Sequence, residues 1–157
     1  MDKAELVQLL APLCEAIANI DPDDKDALVV LQARFPIESE AMQTLKKEVR
    51  AGISAGWLCD QEAGGVRFSR VQKAGGDEGP LSIDAVHMDG VGPGHTHPKG
   101  EFDLCFVVSG TPTFDGNSEG WTVYGKNTWH EPTVSDGVMD ILYFLPDGEM
   151  RFEKRPA

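Results

Sequence analysis

The glycines of this chain divide it into two segments of different character. None of the seventeen glycines precedes Gly52, and residues 52–157 contain all of them. Glycine weakens helices and supplies the backbone freedom that tight turns need. We therefore predict an N-terminal helical extension over residues 1–58 and a turn-rich β domain over residues 59–157.

Apolar spacing in the first segment predicts three helices. Apolar residues recur every three or four positions over residues 6–20, which gives one stripe of an amphipathic helix. A second helix is predicted over residues 23–35, and a third begins after Ser39 and ends near Gly56. We expect these helices to cover an apolar edge of the β domain, with closure of its mouth as the alternative.

The period of the apolar pattern falls to about two from Val66 onward, which is typical of strands. The predicted strands are separated by turns rich in glycine, proline and asparagine. They cover residues 66–71, 81–88, 101–109, 121–124 and 138–145. Many short strands at this spacing favour a small sandwich or barrel.

Two histidines in the β half have the spacing of metal ligands. In a strand, His95 and His97 point to the same face because side chains alternate. Glu101 adds a carboxylate, and His130 could reach the same ion from a later strand. Imidazole and carboxylate groups suit a divalent zinc, iron, manganese or nickel ion, and this ligand set does not choose among them.

Alternation along the strand that begins at Glu101 separates polar from apolar side chains. Glu101, Asp103 and Cys105 share one face, whereas the residues between them are apolar and share the other. One face should pack as core and the other should line a cavity, because buried polar groups without partners are costly. Asp103 either lines that cavity or pairs with an arginine, and Cys105 fits a small buried hydrophobe.

Cationic and aromatic residues provide candidates for substrate binding. Arg67 and Arg70 have opposite strand parity, so at most one of them faces the cavity. Arg70 is our candidate for binding a carboxylate. Trp129 and Tyr124 could stack on a planar substrate, with a place in the core as the alternative.

Charge and hydropathy exclude several classes of partner. The chain has 26 acidic and 14 basic residues and a net charge of −12, so phosphate backbones and anionic lipid surfaces would repel it. Its longest apolar runs are five residues, far short of the roughly 20 that cross a bilayer. Three cysteines without paired spacing fit reduced thiols. With no secretory signal pattern, these features predict a cytoplasmic protein that binds neither nucleic acid nor membrane.

The histidine segment resembles the first motif of the cupin superfamily. Glycine-rich residues 90–94 precede His95 and His97, a short gap leads to Glu101, and Gly110 closes the strand. Residues 125–130 look like a degenerate second motif that lacks the usual proline. The resemblance implies a mainly β fold: a cupin-type double-stranded β-helix, which is a small β-barrel, with an N-terminal α-helical extension.

The chain as a whole resembles the 4-hydroxylaminobenzoate lyase family of bacterial nitrobenzoate degradation. The resemblance is carried by the acidic helical region and by residues 51–59, 66–71, 95–103, 120–125 and 129–132. It implies conversion of 4-hydroxylaminobenzoate to 3,4-dihydroxybenzoate (protocatechuate) with release of ammonia.

This interpretation gives each site residue a role. Glu101, His97 and His130 would be catalytic, with Glu101 as acid or base, or as a metal ligand beside His95, His97 and His130 if a divalent ion is bound. A small aromatic carboxylate is the expected substrate, and no nucleotide cofactor is expected. A homodimer is predicted because cupins commonly associate through sheet edges. The alternatives are a metal-dependent cupin oxygenase or isomerase acting on another small acid, and a non-catalytic cupin that binds a small molecule.

Overall fold

Three helices precede nine strands in a computed structural model that describes residues 1–157 apart from the side chain of Glu78. The helices are α1 (Lys3–Ala18), α2 (Ala27–Arg34) and α3 (Glu40–Ala55). The strands are β1 (Gln61–Ala63), β2 (Val66–Gln72), β3 (Leu81–Met88), β4 (His95–His97), β5 (Glu101–Phe114), β6 (Gly120–Tyr124), β7 (Thr128–His130), β8 (Val134–Pro146) and β9 (Arg151–Phe152). Among the described residues, no helix combines the length and apolar character that crossing a membrane requires.

Local capping determines where α1 and α3 begin and end. Asp2 and Glu5 form a reciprocal capping box at the start of α1. At the start of α3, the Ser39 hydroxyl accepts a hydrogen bond from the Met42 N–H. Gly56 ends α3 with a φ of 87°, the left-handed conformation that favours glycine. The prediction that a helix follows Ser39 and ends near Gly56 is confirmed.

The second helix is shorter than the prediction, because it begins four residues later. In the preceding segment the Asp23 N–H donates to Asp21 Oδ1 at 2.9 Å, and the Asp26 N–H donates to Asp24 Oδ1 at 2.8 Å. Side-chain acceptors of this kind offer the backbone an alternative to helical hydrogen bonds. The side chains of Asp21 and Asp24 therefore stabilise turns in a segment for which the apolar spacing predicted a helix.

The strands form two antiparallel sheets. The larger sheet has the order β1-β2-β3-β8-β5-β6, and the smaller has the order β7-β4-β9. The five predicted strands are present as β2, β3, β5, β6 and β8. The remaining four strands contain two or three residues each, which is too few for alternation to predict them.

The two sheets face each other, with polar side chains between them. The His95 ring of the smaller sheet lies 6.5 Å from the Tyr143 ring of the larger one. The mainly β architecture with a helical extension confirms the predicted fold class. In the described chain, ladder hydrogen bonds join strands only within each sheet, so the expected barrel is an arrangement of two sheets that is not closed.

The helices cover the outer face of the larger sheet. Leu10 of α1, Leu31 of α2 and Val49 of α3 share one buried apolar cluster with Phe102 and Leu104 of β5. The alternation predicted along β5 is confirmed: its apolar face packs under the helices, and its polar face points between the sheets. The helical and β segments therefore share a single core.

An ion-pair network also joins α3 to the larger sheet. Buried Asp140 of β8 lies 3.2 Å from Arg50 Nη1 and 2.7 Å from His87 Nδ1. These groups belong to the outer face of the sheet, away from the other three histidines. His87 thus has a structural role in helix docking.

Candidate metal centre

Three histidines and one glutamate converge between the sheets. His95 and His97 project from β4, His130 projects from β7, and Glu101 opens β5. The antiparallel pairing of β4 with β7 places His95 directly opposite His130. All four side chains are buried, and one ligand atom from each lies within 4.8 Å of the others. The structure therefore brings together all four predicted metal ligands.

The Nε2 atoms of the three imidazoles point toward the Glu101 carboxylate. His97 Nε2 lies 3.1 Å from Oε2, His95 Nε2 lies 3.4 Å from Oε1, and His130 Nε2 lies 3.5 Å from Oε2. His95 Nε2 and His130 Nε2 are 3.0 Å apart. Two neutral ring nitrogens that both carry lone pairs would repel at this distance, so the cluster needs a positive charge at its centre.

The opposite ring nitrogen of each histidine is held by an acceptor. The Nδ1–H of His95 donates to the Pro93 carbonyl at 3.1 Å, and that of His130 donates to Asp115 Oδ2 at 2.6 Å. His97 Nδ1 lies 3.0 Å from Thr128 Oγ1. Because the Thr128 hydroxyl gives its own proton to the Gly125 carbonyl, its oxygen accepts from His97. All three rings thus carry a proton on Nδ1 and can present a lone pair on Nε2.

This arrangement fits a divalent ion. His97 Nε2 and both Glu101 carboxylate oxygens are buried and have no hydrogen-bond partner among the described residues. An unpaired buried polar group costs free energy, and a cation coordinated by these atoms would satisfy all of them. Three imidazole nitrogens and a carboxylate suit zinc, iron, manganese or nickel. An outer hydrogen bond to each histidine is the usual companion of metal ligation.

Two groups of the cluster have strongly shifted pKa values. Burial alone would lower the pKa of His130, but its hydrogen bond to Asp115 and the nearby negative charge of Glu101 outweigh burial and raise it to about 9. Burial would raise the pKa of Glu101, but its contacts with His130, His95 and His97 hold it well below the ordinary value. Glu101 is therefore a carboxylate at neutral pH, suited to act as a ligand or a base. Without an ion, His130 carries the compensating proton.

A cavity of about 520 Å³ opens beside His95. Its walls are mostly apolar, and rings from the two sheets line it together with Arg70. The side chains that give it this character are Phe68, Met88, Tyr143, Leu145, Met150 and Phe152. Arg70 Nε binds Asp84 Oδ1 at 2.5 Å, which leaves the two Nη groups outside that pair. Of the two arginines on β2, the structure places Arg70 and not Arg67 on this cavity.

The other two predicted substrate-binding residues lie elsewhere. Because side chains alternate along a strand, Trp129 points to the face of β7 opposite His130. Its indole N–H donates to the Glu153 carbonyl there at 2.9 Å. Trp129 and Tyr124 line a second cleft of about 580 Å³. The structure therefore divides the predicted substrate-binding residues between two cavities, with Arg70 in the first.

Asp103 is fully buried close to the cluster. Neither of its carboxyl oxygens has a hydrogen-bond partner among the described residues, so no arginine pairs with it there. Burial and the charge of Glu101 raise its pKa well above the ordinary value. This shift favours the protonated, uncharged form of Asp103, whose side chain lies in the interior close to the cluster. Cys105 packs as a small buried hydrophobe, as expected.

The contact between Asp115 and a histidine of the cluster was not predicted from the sequence. Asp115 accepts from His130, yet it lies in a turn after β5, and the sequence signal there is only that of the turn, Asp115-Gly116-Asn117. Tyr124, predicted as a substrate-stacking residue, donates its hydroxyl to Asp115.

Comparison with known proteins gives one family match over most of the chain. A family model described as "PnbB: 4-hydroxylaminobenzoate lyase" matches residues 8–152. The 4-hydroxylaminobenzoate lyase of Pseudomonas putida is 27% identical over 143 residues, which cover 78% of this chain and 80% of that protein. The 4-hydroxylaminobenzoate lyase of Nocardioides sp. (strain LMS-CY) is 30% identical over 128 residues, covering 75% and 76%.

Solved structures give more distant similarities that concern the fold alone. An RmlC-like cupin from Ralstonia eutropha is 11% identical, covers 59% of this chain and 62% of its own, and has a TM-score of 0.41. The polyketide cyclase RemF from Streptomyces resistomycificus is 13% identical, covers 61% and 78%, and also has a TM-score of 0.41.

Proposed function

The chain belongs to the 4-hydroxylaminobenzoate lyase family, and on that premise we propose that it converts 4-hydroxylaminobenzoate and water into 3,4-dihydroxybenzoate (protocatechuate) and ammonia. The observation that carries the proposal is the family match over residues 8–152. The buried cluster and the adjoining apolar cavity support it, because they offer a reactive centre next to a place for an aromatic ring.

The reaction balances without an external oxidant. The N–O bond, the C–N bond and one ring C–H bond break, and two ring C–O bonds form. Nitrogen gains the two electrons that the ring loses, and the net uptake is one water molecule. This internal redox balance separates the lyase from an oxygenase, which consumes O₂.

The cavity can accept both ends of such a substrate. A benzoate ring suits walls that include Phe68, Phe152 and Tyr143. The Nη groups of Arg70 are donors for the carboxylate at one end. A substituent para to that carboxylate would then be directed away from Arg70, toward His95 and the cluster.

The cluster supplies the groups that the chemistry needs. A divalent ion would be held by His95, His97, Glu101 and His130, and when bound it would stabilise charge on the departing oxygen or lower the pKa of a water molecule. Glu101, ionised at neutral pH, serves as ligand or as base toward water. His97 and His130 would take part in holding the ion through Nε2, since their Nδ1 atoms contact Thr128 and Asp115.

The experiment is an incubation of the purified chain with 4-hydroxylaminobenzoate under argon and in air, each with a divalent metal or with a chelator. The proposal expects protocatechuate and ammonia in equal amounts, at the same rate with and without O₂. Product formation that requires O₂ would favour the oxygenase. An isomeric product that retains its nitrogen would favour the isomerase. Binding of the aromatic acid without turnover, with every metal supplied, would favour the non-catalytic protein.

A further inference from the structure

The carboxylate of Asp115 is surrounded by donors from separate parts of the chain. Its Oδ1 accepts from the Thr133 N–H at 2.8 Å, and its Oδ2 accepts from His130 Nδ1 at 2.6 Å and from the Tyr124 hydroxyl. The Asp115 N–H in turn donates to the Thr133 carbonyl at 2.9 Å. These contacts fix the carboxylate in one orientation, with one oxygen directed at the imidazole.

Asp115 adopts an uncommon backbone conformation to reach this place. Its φ is 49°, in the left-handed region that aspartate tolerates better than most residues. The turn directs the carboxylate back toward β7 at the point where His130 enters the cluster. Asp115 itself is absent from the group of four converging ligands.

Tyr124 supports the same imidazole in two ways. Its hydroxyl donates to Asp115, while its ring stacks on His97 with centroids 5.1 Å apart and lies 4.3 Å from the His130 ring. The phenol therefore restrains both the carboxylate and two of the ligand rings.

We propose that Asp115, supported by Tyr124, is a positioning residue for the metal centre. It keeps the His130 proton on Nδ1 and fixes the ring so that the Nε2 lone pair points to the site shared by His95, His97 and Glu101. The affinity for a divalent ion then depends on a side chain that does not touch the ion. This inference concerns ion binding alone and does not depend on the lyase reaction.

The test measures the dissociation constants of Zn²⁺ and Co²⁺ by competition with a chromogenic chelator, together with the visible absorption spectrum of the Co²⁺ complex. Loss of such an outer partner weakens metal binding by about 10–100-fold. We expect that loss for Asp115→Ala, with an altered Co²⁺ spectrum, and a smaller loss for Tyr124→Phe, which removes a single donor.

Asp136→Ala is the matched control. Asp136 also has a left-handed backbone, with φ 64°, but lies exposed in β8 at an irregularity in the pairing with β5, so the two substitutions carry comparable backbone strain. We expect its metal affinity and Co²⁺ spectrum to equal those of the parent. Asp115→Asn, which preserves the shape of the side chain, provides a second variant if Asp115→Ala does not fold.

The outcomes separate the claims. A parent that binds Zn²⁺ and Co²⁺ tightly, with weaker binding confined to the Asp115 and Tyr124 variants, supports the inference whatever the activity of the chain. Unchanged affinity and spectrum in Asp115→Ala or Asp115→Asn would overturn it, as would an equal loss in Asp136→Ala. A parent that binds neither ion would overturn both this inference and the metal centre.

Discussion

Arg70 is the side chain whose placement bears most directly on substrate recognition. It lines the cavity beside His95, whereas Arg67 on the same strand has the opposite parity. Charge-assisted hydrogen bonds contribute about 1.5–3 kcal/mol, so we expect Arg70→Ala to raise KM for 4-hydroxylaminobenzoate by roughly 10- to 100-fold with a smaller effect on kcat. Steady-state kinetics check this. Arg67→Ala should leave KM unchanged, and an unaltered KM in Arg70→Ala would contradict the assignment.

We expect ion binding to depend on pH through His130. Because its folded-state pKa is about 9 and its ordinary value is 6.5, the ion-free protein gains stability from this proton below about pH 6.5 and loses it as the pH rises through 9. An ion must displace the proton from Nε2. Calorimetric titration at about pH 7.5 in two buffers of different ionisation enthalpy should show release of about one proton per ion, falling toward zero near pH 10. Equal enthalpies in the two buffers at pH 7.5 would contradict this prediction.

The sequence predicts some residues of the metal cluster and its surroundings better than others, because they come from different parts of the chain. Alternation along one short strand predicts that His95 and His97 share a face, and Glu101 was added as a ligand because it follows only four residues after His97. His130 comes from a later strand; it was proposed as a fourth histidine-type ligand, and the likeness of residues 125–130 to a second cupin motif supported that choice. Asp115 reaches the centre through a turn and contacts a histidine fifteen residues away, and no local periodicity encodes that contact.

The three helices cover the outer face of the larger sheet, whose apolar side chains would otherwise be exposed. Leu31 of α2 is fully buried in the core under this cover, whereas Val29 on the same helix is 61% exposed. We expect Leu31→Ala to reduce the free energy of unfolding by about 2–5 kcal/mol because it leaves a cavity. Val29→Ala should change it by about 0.5 kcal/mol or less.

Urea unfolding followed by circular dichroism measures both variants. Similar losses of stability in Leu31→Ala and Val29→Ala would show that α2 does not pack as described. The affinity of folded Leu31→Ala for Zn²⁺ should equal that of the parent, since the helices and the metal centre lie on opposite faces of the larger sheet.

Elements differ in how well sequence patterns predict them. The first and third helices were predicted because their apolar stripes extend over several turns, and α3 also carries a Ser39 cap and a Gly56 stop. The second helix was predicted too long because aspartate turns replace its first residues. Strands β4 and β7, which carry three of the four candidate ligands, have three residues each, and their place in the structure comes from pairing between strands: β4 pairs with both β7 and β9.

The whole molecule is a stack of a helical layer, a larger sheet and a smaller sheet. Apolar side chains fill the space between the helices and the larger sheet, where Arg50, His87 and Asp140 form a separate ion-pair network. The space between the two sheets holds the buried metal ligands and Asp103. Strand β5 contributes to both spaces, because its successive side chains point alternately to the apolar core under the helices and to the cluster between the sheets.

The most direct measurement returns ions to the chelator-stripped protein under argon and follows protocatechuate formation as zinc, iron, manganese or nickel is added one at a time. For at least one of these ions, activity should rise from near zero and saturate at about one ion per chain. The same titration of folded Glu101→Gln should yield no product. Full activity in the stripped, ion-free chain, or in Glu101→Gln, would contradict the account of a lyase centred on His95, His97, Glu101 and His130.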